Sequence, residues 1–274
     1  MTTYDGSQYI ARCSTLTLLY PGSVISYDFP LNERVRTLLR LEDLYAKMSY
    51  FSEKASAADH NAALNVLFEI LEVASRADLK SDLLQELERQ KRQLTALHNN
   101  PAISEDALDE ILGAIESASN NLFNLSGKIG QHLRENEWLM SIKQRASIPG
   151  GTCEFDLPSY HYWLHQDALL RRNYLKAWLA PMLPICEGMD IILKLMRESG
   201  KVHRFTAHQG SFQQMQGGRV AQLLRVTLDS KLLCIPEVSA NKYALNIRFV
   251  SSNYVARSGL FDQDVAFDLT FCAL

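Results

Sequence analysis

The chain has 274 residues, 47% apolar and 22% charged, the balance of a folded globular protein and not of a disordered one. Its five cysteines (Cys13, Cys153, Cys186, Cys234, Cys272) are odd in number, far apart and without a C-x-x-C, which argues against a disulfide framework and against a thiolate zinc site. No stretch approaches the roughly 18 apolar residues of a membrane span, and residues 1–12 lack the basic cluster of a signal peptide, so a cytoplasmic protein without membrane insertion is expected.

The net charge of −3 hides an asymmetry. Residues 1–150 carry 15 basic against 20 acidic side chains, and residues 151–274 carry 13 against 11. A mildly basic second half suits an acidic peptide better than a long nucleic-acid duplex, which selects a stronger basic stripe.

Residues 1–22 read as a polar, flexible extension. Val24 to Phe29 predicts a short strand closed by Pro30, and Asn32 is placed to cap a helix carrying Val35, Leu38, Leu39, Tyr45, Met48 and Phe51 at helical spacing. A second helix is expected from about Asp59, with Leu64, Leu67, Phe68 and Leu71 on one face. A third starts near Asp78; its Leu83, Leu87, Leu94 and Leu97 fall at heptad-like spacing, with Gln90 in one apolar slot. After Asn99-Asn100-Pro101, Ser104 caps a fourth helix with Leu108, Ile111, Leu112 and Ile115 inward. A fifth is expected from near Ile129 to Arg145, which completes a helical bundle.

Ile148-Pro149-Gly150-Gly151 is the strongest turn signal in the chain, and the expected domain boundary lies there: a helical domain over 23–148 and a β-rich domain over 149–274. Thr152 to Asp156 reads as a strand. Helices follow over about 159–180 and 185–198, separated by Pro181 and Pro184. After Gly200 the hydrophobic period changes to two, and 202–208, 222–229, 242–250 and 264–272 alternate as antiparallel strands. The fold class expected is α+β: an N-terminal helical bundle, then an antiparallel β-rich domain with inserted helices.

Signals for catalysis are weak. His161 and His165 stand at i and i+4, a spacing that can grip a metal, but the Glu of H-E-x-x-H is missing and no third ligand is evident. Gly127-Lys128 lacks the earlier glycine and the following Ser/Thr of a phosphate loop. Cys153 follows a Gly-Gly turn with no base beside it, so a structural cysteine is the plainer reading. No enzyme activity, cofactor or metal is expected.

The informative pattern is basic. Lys242-Tyr243-Ala244-Leu245-Asn246-Ile247-Arg248-Phe249 alternates, so Tyr243, Leu245, Ile247 and Phe249 are expected to face the core, and Lys242, Ala244, Asn246 and Arg248 the opposite side. Leu224-Arg225-Val226-Thr227 repeats the scheme with Arg225 outward. Neighbouring strands of this kind would set Arg225, Lys242 and Arg248 on one surface, where an acidic peptide could lie against arginine forks. The plainer alternative is a solvated sheet face with cross-strand pairs to Asp264 or Asp268.

Several blocks resemble the ZapD family of bacterial cell-division proteins. They are Phe29 to Arg34 with Arg36 to Glu42, Leu83 to Leu94, Ile129 to Glu135, Ser147 to Pro158 (SIPGGTCEFDLP), Leu223-Leu224-Arg225 and Ser239 to Phe249. The resemblance runs over about residues 24 to 272. It implies a non-enzymatic homodimer that binds the C-terminal tail of FtsZ, the tubulin-like GTPase of the division ring, and bundles FtsZ filaments at mid-cell to stabilise the ring. It further implies a basic tail-binding pocket between the two domains, carried here by Arg76, Lys242 and Arg248. Arg225 joins these from the alternation alone. Some family members carry a further basic residue where this chain has Ala244. The competing readings are a nucleic-acid binder on the same face, which would need aromatics there while Tyr243 is expected to point inward, and an enzyme near Cys153, His161 and His165.

Overall fold

The computed structural model describes residues 24–75, 78–98, 100, 104–215, 221–241, 243–252 and 259–273. These fall into two compact units, one over 38–192 and the other combining 24–37 with 193–273. The expected boundary at 148/149 therefore lies inside the first unit. The sequence punctuation at Pro149-Gly150-Gly151 marks a tight turn, in which Ile148 N–H donates to Arg145 O and Gly151 N–H to Ile148 O, and not the end of a core. The expected extension over 1–22 lies outside the described residues.

The first unit is helical. Strand β1 (Val24–Pro30) precedes α1 (Glu33–Ser52), whose first turn is capped by Asn32: its side-chain oxygen accepts from Val35 N–H at 2.8 Å. Then follow α2 (Ala57–Ala74), α3 (Leu79–Thr95) and α4 (Glu105–Phe123). Ser56 and Ser104 cap α2 and α4 by accepting from Asp59 N–H and Ala107 N–H. Of the stripes expected from periodicity, Leu64, Leu67, Phe68 and Leu71 on α2, Leu83 and Leu87 on α3, and Leu108 and Ile115 on α4 are buried, whereas Leu94, Ile111 and Leu112 are half-buried and Leu97, past the end of α3, is exposed. Gln90, in the polar slot of the α3 stripe, is fully buried and donates to Ile192 O.

Two expectations change here. The fifth helix is two, α5 (Gln131–Arg134) and α6 (Glu137–Ala146), because the Asn136 side chain accepts from Leu139 N–H and starts a new helix. Thr152 to Asp156 is not a strand; Asp156 and Leu157 N–H both return to Cys153 O, which folds the segment into turns. The next helices, α7 (Pro158–Leu164), α8 (Ala168–Leu179) and α9 (Leu183–Glu198), follow the sequence expectation with an extra break at Asp167, the cap of α8. Trp138, Tyr160, Trp163, Tyr174 and Trp178 pack together with ring centroids 5.6 to 6.3 Å apart, which joins α6, α7 and α8 to the helical core.

The second unit is a two-sheet sandwich. Strands β2 (Lys201–Ala207), β3 (Ser211–Met215), β4 (Leu223–Asp229), β5 (Cys234–Ala240), β6 (Ala244–Ser251) and β7 (Val265–Cys272) join β1 in antiparallel sheets of order β1-β4-β7-β2 and β3-β6-β5. Leu224, Val226 and Leu228 from the first sheet and Leu245, Ile247 and Phe249 from the second share one core. Phe205 and Phe267 meet Phe212 and Phe249 across it, with centroids 5.0 to 5.2 Å apart. The four strands expected from alternation are present, whereas β3 and β5 were not expected. Ser211–Met215 (SFQQM) is five residues with three polar side chains and no sustained alternation, and β5 contains Pro236, which lacks an N–H and is tolerated in a strand only where no neighbour needs that donor. The strand order supplies that condition by placing β5 at an edge. Gly210, at φ +69°, lies in the tight turn that carries the chain from β2 in one sheet to β3 in the other, and a Cβ there would stand 2.4 Å from Phe261 O, so both conformation and space call for glycine.

Candidate protein-binding face

The site is built on β6, the middle strand of the three-stranded sheet. Strand alternation sends Leu245, Ile247 and Phe249 into the core, all fully buried, and turns Ala244, Asn246 and Arg248 outward. Cross-strand register then fixes their neighbours: Arg248 lies between Ser211 and Glu237, Asn246 between Gln213 and Ser239, and Ala244 beside Met215. Arg248 is exposed, and among the described residues no ion pair engages its guanidinium. Glu237, directly opposite on β5, is likewise exposed. The face thus pairs one cation and one carboxylate with amides and hydroxyls, and Met215, 72% exposed, gives it an apolar end.

Arg225 is elsewhere. β4 belongs to the four-stranded sheet and sends Leu224 and Val226 into the shared core, so Arg225 leaves the outer face of that sheet while Arg248 leaves the outer face of the other. The expectation that the two share one surface is corrected by the sandwich: the two strands are not neighbours. Arg225 is instead committed to Asp28 on β1, with Nε to Oδ1 at 2.7 Å and Nη2 to Oδ2 at 3.0 Å. Arg197 from the end of α9 grips the same carboxylate through Nε at 3.0 Å and Nη2 at 2.9 Å. Burial of Asp28 opposes its ionisation, but the hydrogen bond from Arg225 and the charges of Arg197 and Arg225 outweigh it and hold the carboxyl below its ordinary range. Sequence reading missed this cluster because Asp28 and Arg197 lie 169 positions apart and neither belongs to a motif.

Tyr243 also differs from expectation. It is 63% exposed because β6 begins only at Ala244; the Asn241 side chain accepts from the N–H groups of Tyr243 and Ala244 and bends the chain before the strand starts. Arg76 and Lys242 lie outside the described residues. The rings of His161 and His165 lie 4.3 Å apart between centroids, tilted by 47°, and His165 Nδ1 is bonded to His161 O. Among the described residues no group of three His, Cys, Asp or Glu side chains converges as a metal site. The outward pairs Arg204–Asp268 at 3.2 Å and His208–Asp264 at 3.1 Å show where the two acids named as cross-strand partners are used.

The family model for ZapD, described as a cell division protein, matches residues 39–248, from α1 to Arg248 itself. The chain belongs to the ZapD family. Among similar curated proteins, the cell division protein ZapD of Aromatoleum aromaticum is 57% identical over 92% of this chain and 98% of its own length. That of Chromobacterium violaceum is 57% identical over 91% and 99%, and that of Nitrosomonas europaea 52% identical over 92% and 96%. The resemblance seen in the sequence blocks is thus a family membership, and the chain works in cell division. ZapD is a family of cell division proteins and not a known enzyme family. Among the described residues no helix is long and apolar enough to cross a membrane.

Proposed function

We propose that this chain binds the C-terminal tail of FtsZ through the face centred on Arg248 and, as a homodimer, cross-links FtsZ filaments into bundles that stabilise the division ring in the cytoplasm at mid-cell. It does so without catalysis. The observation that carries the reading is an exposed arginine, free of any ion pair among the described residues, at the centre of a sheet face in a ZapD-family chain. Arg76 and Lys242 are assigned to the same tail contact on the family resemblance. Arg225 is not, because Asp28 already occupies its fork.

Charge pattern separates this reading from nucleic-acid binding. Exposed Tyr243 would offer a stacking surface. Glu237 directly opposite Arg248, however, sets a carboxylate where a phosphate would have to approach. A peptide can present both signs and an apolar side chain to Arg248, Glu237 and Met215, whereas a phosphate backbone presents only negative charge.

The test is low-speed sedimentation of polymerised FtsZ. Full-length FtsZ should pellet as bundles when this protein is added, and FtsZ lacking its C-terminal tail should remain in the supernatant. Pelleting that is unchanged by the protein, or equal with and without the tail, overturns the proposal.

A further inference from the structure

The corner between α1 and α2 ends in a run of backbone carbonyls, Ser52 to Ala55, that no helix satisfies. Two consecutive arginines of α8 supply the donors. Arg172 donates from Nε to Ser52 O and from Nη2 to Glu53 O and Lys54 O, at 3.0 to 3.3 Å. Arg171, 5% exposed, reaches Ala55 O through Nη2 at 2.8 Å and turns Nη1 back to Leu164 O and Gln166 O in its own α7–α8 corner. Its remaining donor, Nε, ends on a histidine: His60 Nδ1, at 2.9 Å.

That contact fixes the state of His60. An arginine does not give up its proton, so Nδ1 must be a bare acceptor, and the hydrogen belongs on Nε2, which donates to Lys54 O at 2.8 Å. The imidazole is fully buried. Charged groups around it offer a cation no relief. Arg171 and Arg172 face it from α8, the Glu53 carboxylate is engaged by Lys176, the Lys54 ammonium lies over the Tyr50 ring, and Asp59 is held by Ser56. Asp167 caps α8 at Leu169 N–H.

We propose that the His60–Arg171 contact is an acid-sensitive latch: neutral His60 ties the α1–α2 corner to the α7–α8 corner, and its protonation releases Arg171 and lets both corners open. Protonating Nδ1 removes the acceptor and sets two cations against each other in a buried site. Burial depresses the imidazole below its ordinary 6.5; the bonds to backbone carbonyls work against this, and the charges of Arg171 and Arg172 add to it. A depressed folded value means that the unfolded or opened state takes up the proton first. The stabilisation is complete above about pH 6.5 and is lost as the pH falls below it toward the folded value.

The experiment is native-state amide hydrogen exchange at pH 7.5 and pH 5.5 on the full chain and on His60→Gln, with intrinsic exchange rates divided out. Between those two pH values, protection over residues 52–60 and 164–171 should fall in the wild type, by at most about tenfold, and stay level in the variant; about tenfold is the limit set by one proton taken up with a pKa near 6.5 in the open state. Equal pH responses in the two proteins overturn the latch. Should the variant not fold, the imidazole resonances of His60 in the unmodified protein decide it: neutral through pH 6 supports the latch, and titration at or above 6.5 overturns it.

Discussion

Asp28→Ala should lower the unfolding free energy of the β-sandwich unit by about 2–4 kcal/mol, read as a shift in denaturation midpoint at unchanged slope. Asp28 accepts from two arginines, and all three side chains are largely withdrawn from water, at 16%, 22% and 31% exposure for Asp28, Arg197 and Arg225. Removing the carboxylate takes away the counter-charge that Arg197 and Arg225 share in this cluster. The loss from breaking such a pair exceeds the net worth of the pair itself, because the abandoned charges remain partly buried. The location adds to the effect. Asp28 sits opposite Arg225 in the β1–β4 register, and β1 is an edge strand whose Val24 and Ile25 are exposed, so the ion cluster fastens β1 together with its backbone ladder, the Ser26–Thr227 hydroxyl contact and the packing of Tyr27 and Phe29 on the core. The sign of its pH dependence follows from the depressed carboxyl. Its contribution is full above the ordinary value of 3.8 and is lost as the pH falls through the lower folded value, so the wild type should show an acid-dependent loss of stability that Asp28→Ala lacks. A midpoint within about 0.5 kcal/mol of wild type, the scatter of ordinary surface substitutions, would contradict this account.

Arg248→Glu should weaken binding of an FtsZ-tail peptide by roughly tenfold or more while leaving the melting temperature near wild type. The side chain points away from the core, so folding loses nothing that Leu245, Ile247 and Phe249 provide. Binding loses a charge-assisted contact worth about 1.5–3 kcal/mol and gains a repulsion, against about 1.4 kcal/mol per tenfold in affinity. The new glutamate would also stand directly across from Glu237, so like charges would meet on the same face. Glu237→Gln makes the reverse comparison: it removes the carboxylate beside Arg248 and should leave tail binding intact or strengthen it. If Arg248→Glu binds like wild type, the face is misplaced; if it unfolds, Arg248 is structural.

How much of this was legible in the sequence depends on the range of the interaction. Helical stripes and caps are local, and Asn32, Ser104 and the Leu64, Leu67 and Leu71 face are seen in the structure as periodicity placed them. The alternation of Leu245, Ile247 and Phe249 likewise fixed the outward direction of Arg248. Sheet assignment is not local. Nothing in 224–229 or 244–251 says that those strands belong to different sheets, and that partition is what separates Arg225 from Arg248. Strand β5 hides behind Pro236, since a proline reads as a breaker until the strand is known to lie at an edge. The division into units escaped for a similar reason. β1 is held by β4, far along the chain, so its residues join the β unit although helices follow them directly. The Arg171–His60 contact spans 111 positions, and no spacing rule predicts it.

The central claim is that the protein recognises the FtsZ tail by a charged sheet face, and the most direct measurement is fluorescence anisotropy of a labelled FtsZ-tail peptide titrated with the full chain at two salt concentrations. Saturable binding that weakens as salt is raised, and weakens further in Arg248→Glu, Lys242→Glu and Arg76→Glu, is the result expected of screened charge contacts. A peptide whose anisotropy does not rise with the protein at low salt would contradict it.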